Sequence, residues 1–218
     1  MLDKFSIDEL MIKIMPGGFF LGILLFLFGD IISFELDEKL DFFYTFVFFC
    51  VAFITGEILQ TIAHEIEGIV DIFFKFLRPS EIFLYKGNPI ISDKKRGVII
   101  EKLNIPPNEL QEIDKSYKDI PFLKKRKQFQ SGISLSQHYF WQLYSQVRGS
   151  DEIKTVNRGY LFVRVMMTAF FLLSVIAILA CHSTLSILLG LLSLIFLWRS
   201  RGCAKSLVFN TVLTSFND

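Results

Sequence analysis

Residues 42–77 read FFYTFVFFCVAFITGEILQTIAHEIEGIVDIFFKFL, and this stretch decides the fold. Its first part, Phe42 to Thr55, is apolar all round, as in a helix with no aqueous face. After Gly56 the pattern changes. Ile58, Ile62, Ile66, Ile69, Val70, Phe73 and Leu77 recur at helical spacing, while Glu57, Gln60, Thr61, His64, Glu67, Asp71 and Lys75 fill the other face. That is the period of a helix half in water, and Pro79 stops it. The reading is one helix of about 36 residues, roughly 54 Å long, which exceeds a hydrocarbon core of ~30 Å. It predicts a membrane span that continues beyond the bilayer as a stalk.

Three further apolar runs flank it: Ile14 to Phe34, Tyr160 to Cys181 and Leu185 to Trp198. A span needs about 20 mostly apolar residues; the first and third runs meet this and the fourth is short. Charge is distributed unevenly between the runs. The turn from Asp30 to Asp41 holds Asp30, Glu35, Asp37, Glu38 and Asp41 against Lys39. Residues 78–158 hold fifteen Lys or Arg against nine Asp or Glu, and Arg199, Arg201 and Lys205 follow the last run. Basic flanks stay in the cytoplasm. Four spans with basic ends therefore predict both termini and the middle segment inside, with two small turns outside. The formal net charge of +1 conceals this asymmetry.

The composition agrees: 52% hydrophobic with 25 Phe exceeds a soluble domain's usual content. The N-terminus lacks a basic leader region and a small-residue cleavage site, so the first run is expected to stay as an anchor. Cys50, Cys181 and Cys203 are expected to be free thiols.

The first span opens at Met15-Pro16-Gly17-Gly18, with proline placed at a helix start. Gly18 and Gly22 form a GxxxG pattern, which either packs helices or is simply tolerated in a membrane helix. Ser186, Gly190 and Ser193 form a small-residue stripe on the fourth span. Both sets are candidate contacts between copies. The turn Cys181-His182-Ser183-Thr184 makes the third and fourth spans an antiparallel hairpin. In the middle segment, Ser92 caps a basic helix to Leu103, Asn108 caps one to Tyr117, and Ser134 with Gln137 opens one through Val147. Ser150 caps a long helix running from Asp151 into the third span. Glu81 to Tyr85 and Gly97 to Ile100 are weaker candidates for short strands. The expected fold is an all-α membrane protein: four transmembrane helices with a small, mainly helical cytoplasmic domain between helices 2 and 3. The expected divisions are 1–77, 78–157, 158–200 and a cytoplasmic tail, 201–218.

Glu57, His64 and Glu67 share a face of the second helix and form a weak candidate for binding metal. Glu65 beside them does not complete an HExxH signature, and a solvated stripe is the plainer reading. By depth along their helices, Glu57 and Arg164 fall at the same inner boundary, where an intramembrane pair is expected. The central layer holds no ionisable side chain, against a proton relay. Lys124, Lys125, Arg126 and Lys127 form a basic patch suited to anionic lipid or nucleic acid, or are a solvated loop. No catalytic arrangement or cofactor is expected.

Three patches carry a resemblance: Met15-Pro16-Gly17-Gly18-Phe19-Phe20-Leu21, Gly56 to His64 with Arg78-Pro79-Ser80, and Asp151-Glu152 to Asn157-Arg158-Gly159-Tyr160. Together they resemble bacterial four-span inner-membrane proteins of unknown biochemistry. Some of that set are similar to membrane components of phage-defence systems, which sense or disrupt the envelope as oligomers. The resemblance implies a bacterial inner-membrane protein with a role in defence and supplies no catalytic residue; the homo-oligomer is expected from the glycine and small-residue faces of the first and fourth spans. Three functions are then open: an oligomeric protein that senses a cytoplasmic partner and permeabilises the membrane, an anchor for a soluble partner, or a metal-dependent membrane enzyme.

Overall fold

The structure, a computed structural model, describes residues 7–28, 41–73, 78–118 and 126–217. Among these it is all-helical, with no strand. The helices are α1 (Ile7–Phe28), α2 (Asp41–Phe73), α3 (Asp93–Lys102), α4 (Pro107–Lys118), α5 (Arg126–Val147), α6 (Asp151–Leu179) and α7 (Ser183–Asn217). Four of them are long and apolar enough to cross a membrane, through Leu10–Phe28, Phe43–Ile69, Asp151–Leu179 and Ser183–Phe216. The small helical region expected between the second and third spans is α3 to α5. The acidic turn from Asp30 to Leu40, the end of the stalk at 74–77, and Lys124 and Lys125 lie outside the described residues. Arg126 and Lys127 are helical in backbone.

The chain divides into two compact units. The first, Met1–Ile72 with Arg158–Arg201, contains the spans of α1 and α2, most of that of α6 and the first part of that of α7. Its inner helix is α6, where Val165 to Phe170 are buried without interruption. Met166, Phe170, Leu173 and Ala177 of α6 pack with Leu189 of α7 and with Phe20, Ile23, Leu24 and Leu27 of α1. Val165 and Ala169 meet Leu59 of α2. Phe170 also receives the ring edge of Phe19 at 5.1 Å. Outward-facing side chains are apolar: Phe26 is 78% exposed and Trp198 82%. An apolar shell this extensive suits contact with lipid.

Pro16 does not start a helix. It lies inside α1, nine residues past Ile7, a placement that membrane helices tolerate better than soluble ones. Both Pro16 and Gly17 are buried. The close approach of α1 to α2 uses Gly17 and Gly56, not the GxxxG pair. A Cβ on Gly17 would meet the Ala52 carbonyl oxygen at 1.9 Å, and one on Gly56 the Lys13 carbonyl oxygen at 2.1 Å. Gly18 makes only ordinary contact with Ala52 and Phe48, and Gly22 faces open space.

Helices α6 and α7 form the expected hairpin. Cys181, with φ 61°, is the left-handed residue closing α6. The His182 N–H donates to Ala177 O and the Cys181 N–H to Ile178 O, the paired bonds of a Schellman cap. The small-residue stripe is spent within the chain. Ser174 and Ser186 each donate a hydroxyl to the other's carbonyl at 2.9 Å, and Ser193 donates to Met167 O at 3.2 Å. Gly190 admits Ser174 close by. These residues join α6 to α7 where the sequence suggested contacts between copies.

The second unit is Phe73–Asn157 with Gly202–Asp218. Its core joins Phe83, Leu84, Ile99, Ile113, Phe140 and Leu143 to Val208 and Val212 of α7. The tail is therefore not separate: α7 runs unbroken to Asn217, and its last turns complete this core. The Lys102 ammonium donates to Ser215 O, satisfying a carbonyl in the last turn of α7. Ser92 caps α3 as expected, accepting from Lys95 N. Two helix starts differ. α4 begins at Pro107, where a fixed φ and missing N–H suit the first helical position, so Asn108 is inside. α5 begins at Arg126, so Ser134 is mid-helix; Ser136, not Ser134, does structural work, accepting from Leu84 N at 3.2 Å. Gly97 to Ile100 is helical, and Glu81 to Tyr85 forms turns. The Arg96 guanidinium donates to Leu84 O and to both oxygens of Asp114.

Candidate functional site

Among the described side chains of α2 the buried residues are Ala52, Gly56, Leu59, Ala63 and Glu67, a stripe at steps of three and four. The expected amphipathic faces are thus partly reversed: Ile58 and Ile69 are more than half exposed, and Glu67 is only 3% exposed. In water an isoleucine face turns inward. Beside lipid there is no such drive, and the inner face goes to small residues that permit close approach and to polar residues that find partners.

Glu67 finds three partner groups. The Tyr160 hydroxyl lies 2.8 and 2.9 Å from its two carboxylate oxygens and donates to them. Arg164 Nη1 lies 3.5 Å from Oε2. The Arg164 guanidinium also sits 5.3 Å from the centre of the Tyr160 ring, a cation–π distance. Tyr160 and Arg164 are one turn apart on α6 and so project together. Arg201 of α7, half-buried, lies within electrostatic reach of the same carboxylate. Three spans thus contribute to one polar cluster. Glu67 lies two residues before the end of the apolar span of α2, Phe43–Ile69.

The expected pair of Glu57 with Arg164 does not form. Glu57 pairs with Lys13 of α1, whose ammonium also lies over the Phe53 ring at 5.3 Å. Arg164 pairs with Glu67. The level read from residue counts was wrong by about three turns of α2: Arg164 meets Glu67, ten residues and roughly 15 Å beyond Glu57, and helix rotation separates the two carboxylates as well. Glu67 lies on the stripe facing α6, and Glu57 lies beside Gly56, which faces α1. Lys13 was missed because it precedes the apolar run. Tyr160 and Arg201 were detectable in principle: an arginine inside an apolar helix requires an anionic partner.

The candidate metal ligands Glu57, His64 and Glu67 do not converge, and no cluster of three His, Cys, Asp or Glu side chains is present among the described residues. His64 and Glu65 are exposed. The Glu67 cluster ties α2 to α6. The three cysteines are free. No protein-family model matches the chain, and no match was found among curated proteins or solved structures.

Proposed function

We propose that this integral membrane protein is a non-enzymatic, oligomeric effector of a bacterial inner membrane. On this reading both termini and the second unit lie in the cytoplasm. The second unit binds a cytoplasmic protein partner, and the spans respond by perturbing or permeabilising the bilayer, in a role such as phage defence. The observation that carries the proposal is helix continuity. α6 starts in the second unit at Asp151 and continues through the first without a break, and α7 runs from the first to the end of the second. A helix continuous through two units transmits displacement better than a flexible linker.

Reconstitution tests it. Purified protein in dye-loaded vesicles is expected to be multimeric by light scattering and to release dye once the partner is added. A monomer that releases no dye under any trigger overturns it. The orientation is checked separately. Cys203 and Lys125→Cys are expected to label only from the cytoplasm, and Glu38→Cys only from outside.

One observation favours a second reading. The stripe Ser186, Gly190 and Ser193 is consumed inside the chain, and the basic patch Lys124 to Lys127 offers a charged contact to a soluble partner. An anchor or scaffold for a soluble partner needs no oligomer, and a monomeric protein that recruits a partner supports it.

A further inference from the structure

We infer that the Arg164 cluster binds a phosphate group, supplied at that depth by the headgroup of an anionic lipid. This rests on the membrane placement of the first unit and not on the pore reading.

The argument starts from an under-used guanidinium. Arginine carries five N–H donors in a fixed fork and cannot shed its charge. The Arg164 side chain is 12% exposed. Its Nη1 makes a long contact with Glu67, and its Nε is buried without a hydrogen-bond partner. Withdrawing such a group from water is costly unless its donors are satisfied. Glu67 satisfies little of this need, because it meets the guanidinium through one contact at 3.5 Å. The unused donors of Arg164 therefore call for a second, oxygen-rich anion. Phosphate fits the guanidinium fork through paired N–H bonds.

Depth selects the source. Arg164 is 15 residues from Leu179, roughly 22 Å along α6, and Arg201 is 18 residues from Ser183, roughly 27 Å along α7. Both lie toward one end of a ~30 Å apolar layer, from which a side chain as long as arginine's reaches the headgroup level, where lipid phosphates are the abundant anions. Basic sites between spans at this level bind headgroups. The Tyr160 ring against Arg164 restricts the guanidinium, which lowers the ordering cost of binding.

The test is lipid retention, measured by mass spectrometry of the intact protein after exposure to equal phosphatidylglycerol and phosphatidylcholine. Wild type is expected to prefer phosphatidylglycerol by about tenfold. Arg164→Gln should lose the preference. Arg164→Lys keeps the charge without the fork and should show a reduced preference in a folded protein. Arg199→Gln should keep it, because it alters only an exposed charge on α7. Inorganic phosphate that abolishes the preference assigns the site to soluble phosphate instead of a headgroup, with the same chemistry. Equal retention of both lipids by wild type, or an unchanged preference in folded Arg164→Gln and Arg164→Lys, overturns the inference. Failure to insert into vesicles at all would count against the membrane placement, and absence of dye release against the pore reading alone.

Discussion

Adding one methyl group at Gly56 should disrupt the α1–α2 contact, while the same change at Gly22 should not. The new Cβ at Gly56 would stand 2.1 Å from Lys13 O and 2.7 Å from Lys13 C. A carbon meets a carbonyl oxygen comfortably at about 3.3 Å, so the deficit is roughly 1.2 Å. The obstacle is backbone, so no side-chain rotation relieves it and the helices must separate. Separation also loosens Gly17 against Ala52 and the Lys13 ammonium against Glu57 and Phe53. Overpacking of this kind costs about 1–3 kcal/mol, occasionally more, and a backbone clash belongs at the upper end. Gly17→Ala faces a 1.9 Å approach and should cost as much. The double variant should cost less than the sum, because helices already separated accommodate the second methyl. At Gly22 nothing lies within 4 Å, and alanine there should gain helix propensity of up to ~1 kcal/mol. Thermal unfolding in one detergent, followed by loss of monodisperse protein, ranks the four variants. A Gly56→Ala protein as stable as Gly22→Ala would refute the packing argument.

Three other perturbations follow from the same geometry. Cys181→Gly should stabilise the hairpin by about 1 kcal/mol or less, since a left-handed φ strains cysteine and not glycine; a lower melting temperature would contradict the cap assignment. Double-mutant cycles should give a coupling of about 0.5–3 kcal/mol between Glu67 and Arg164, and near-additivity between Glu57 and Arg164; the reverse pattern would restore the pair expected from depth. Burial, then the hydrogen bond to Glu109 and its charge, push the Tyr139 hydroxyl up to about 12. Since the protonated form is the one favoured by folding, its contribution is complete below the ordinary value of 10.0 and lost as pH rises through about 12. Tyr139→Phe should flatten that alkaline loss of stability, and an unchanged alkaline midpoint would show that Tyr139 has no part in it.

Much of the fold was legible in one dimension. Four apolar runs, the length of α2, the entry of α6 at Asp151 and the caps at Ser92 and Ser150 are all local properties: composition, period and capping chemistry act within a few residues. The starts of α4 and α5 were misplaced because several residues there can cap or open a helix, and the context selects among them. Of the candidate site, residue counts showed that an arginine within α6 needed an anionic partner, but neither the level nor the identity of that partner was readable, because the relative shift and rotation of α2 against α6 are set by packing.

The order of residues by itself determined that this chain is helical, where its apolar segments lie, and that its ionisable groups gather at the ends of those segments. Only the tertiary structure decided that α6 is the innermost span, that Gly17 and Gly56 form the close crossing, that the serine stripe joins α6 to α7, and that Glu67 takes Tyr160 and Arg164 while Glu57 takes Lys13. The physical reason is the solvent. Water distinguishes polar from apolar faces and so writes a helix's orientation into its sequence. Lipid does not, and each span's rotation is then set by close packing and by the pairing of a few charges, which depend on the other helices.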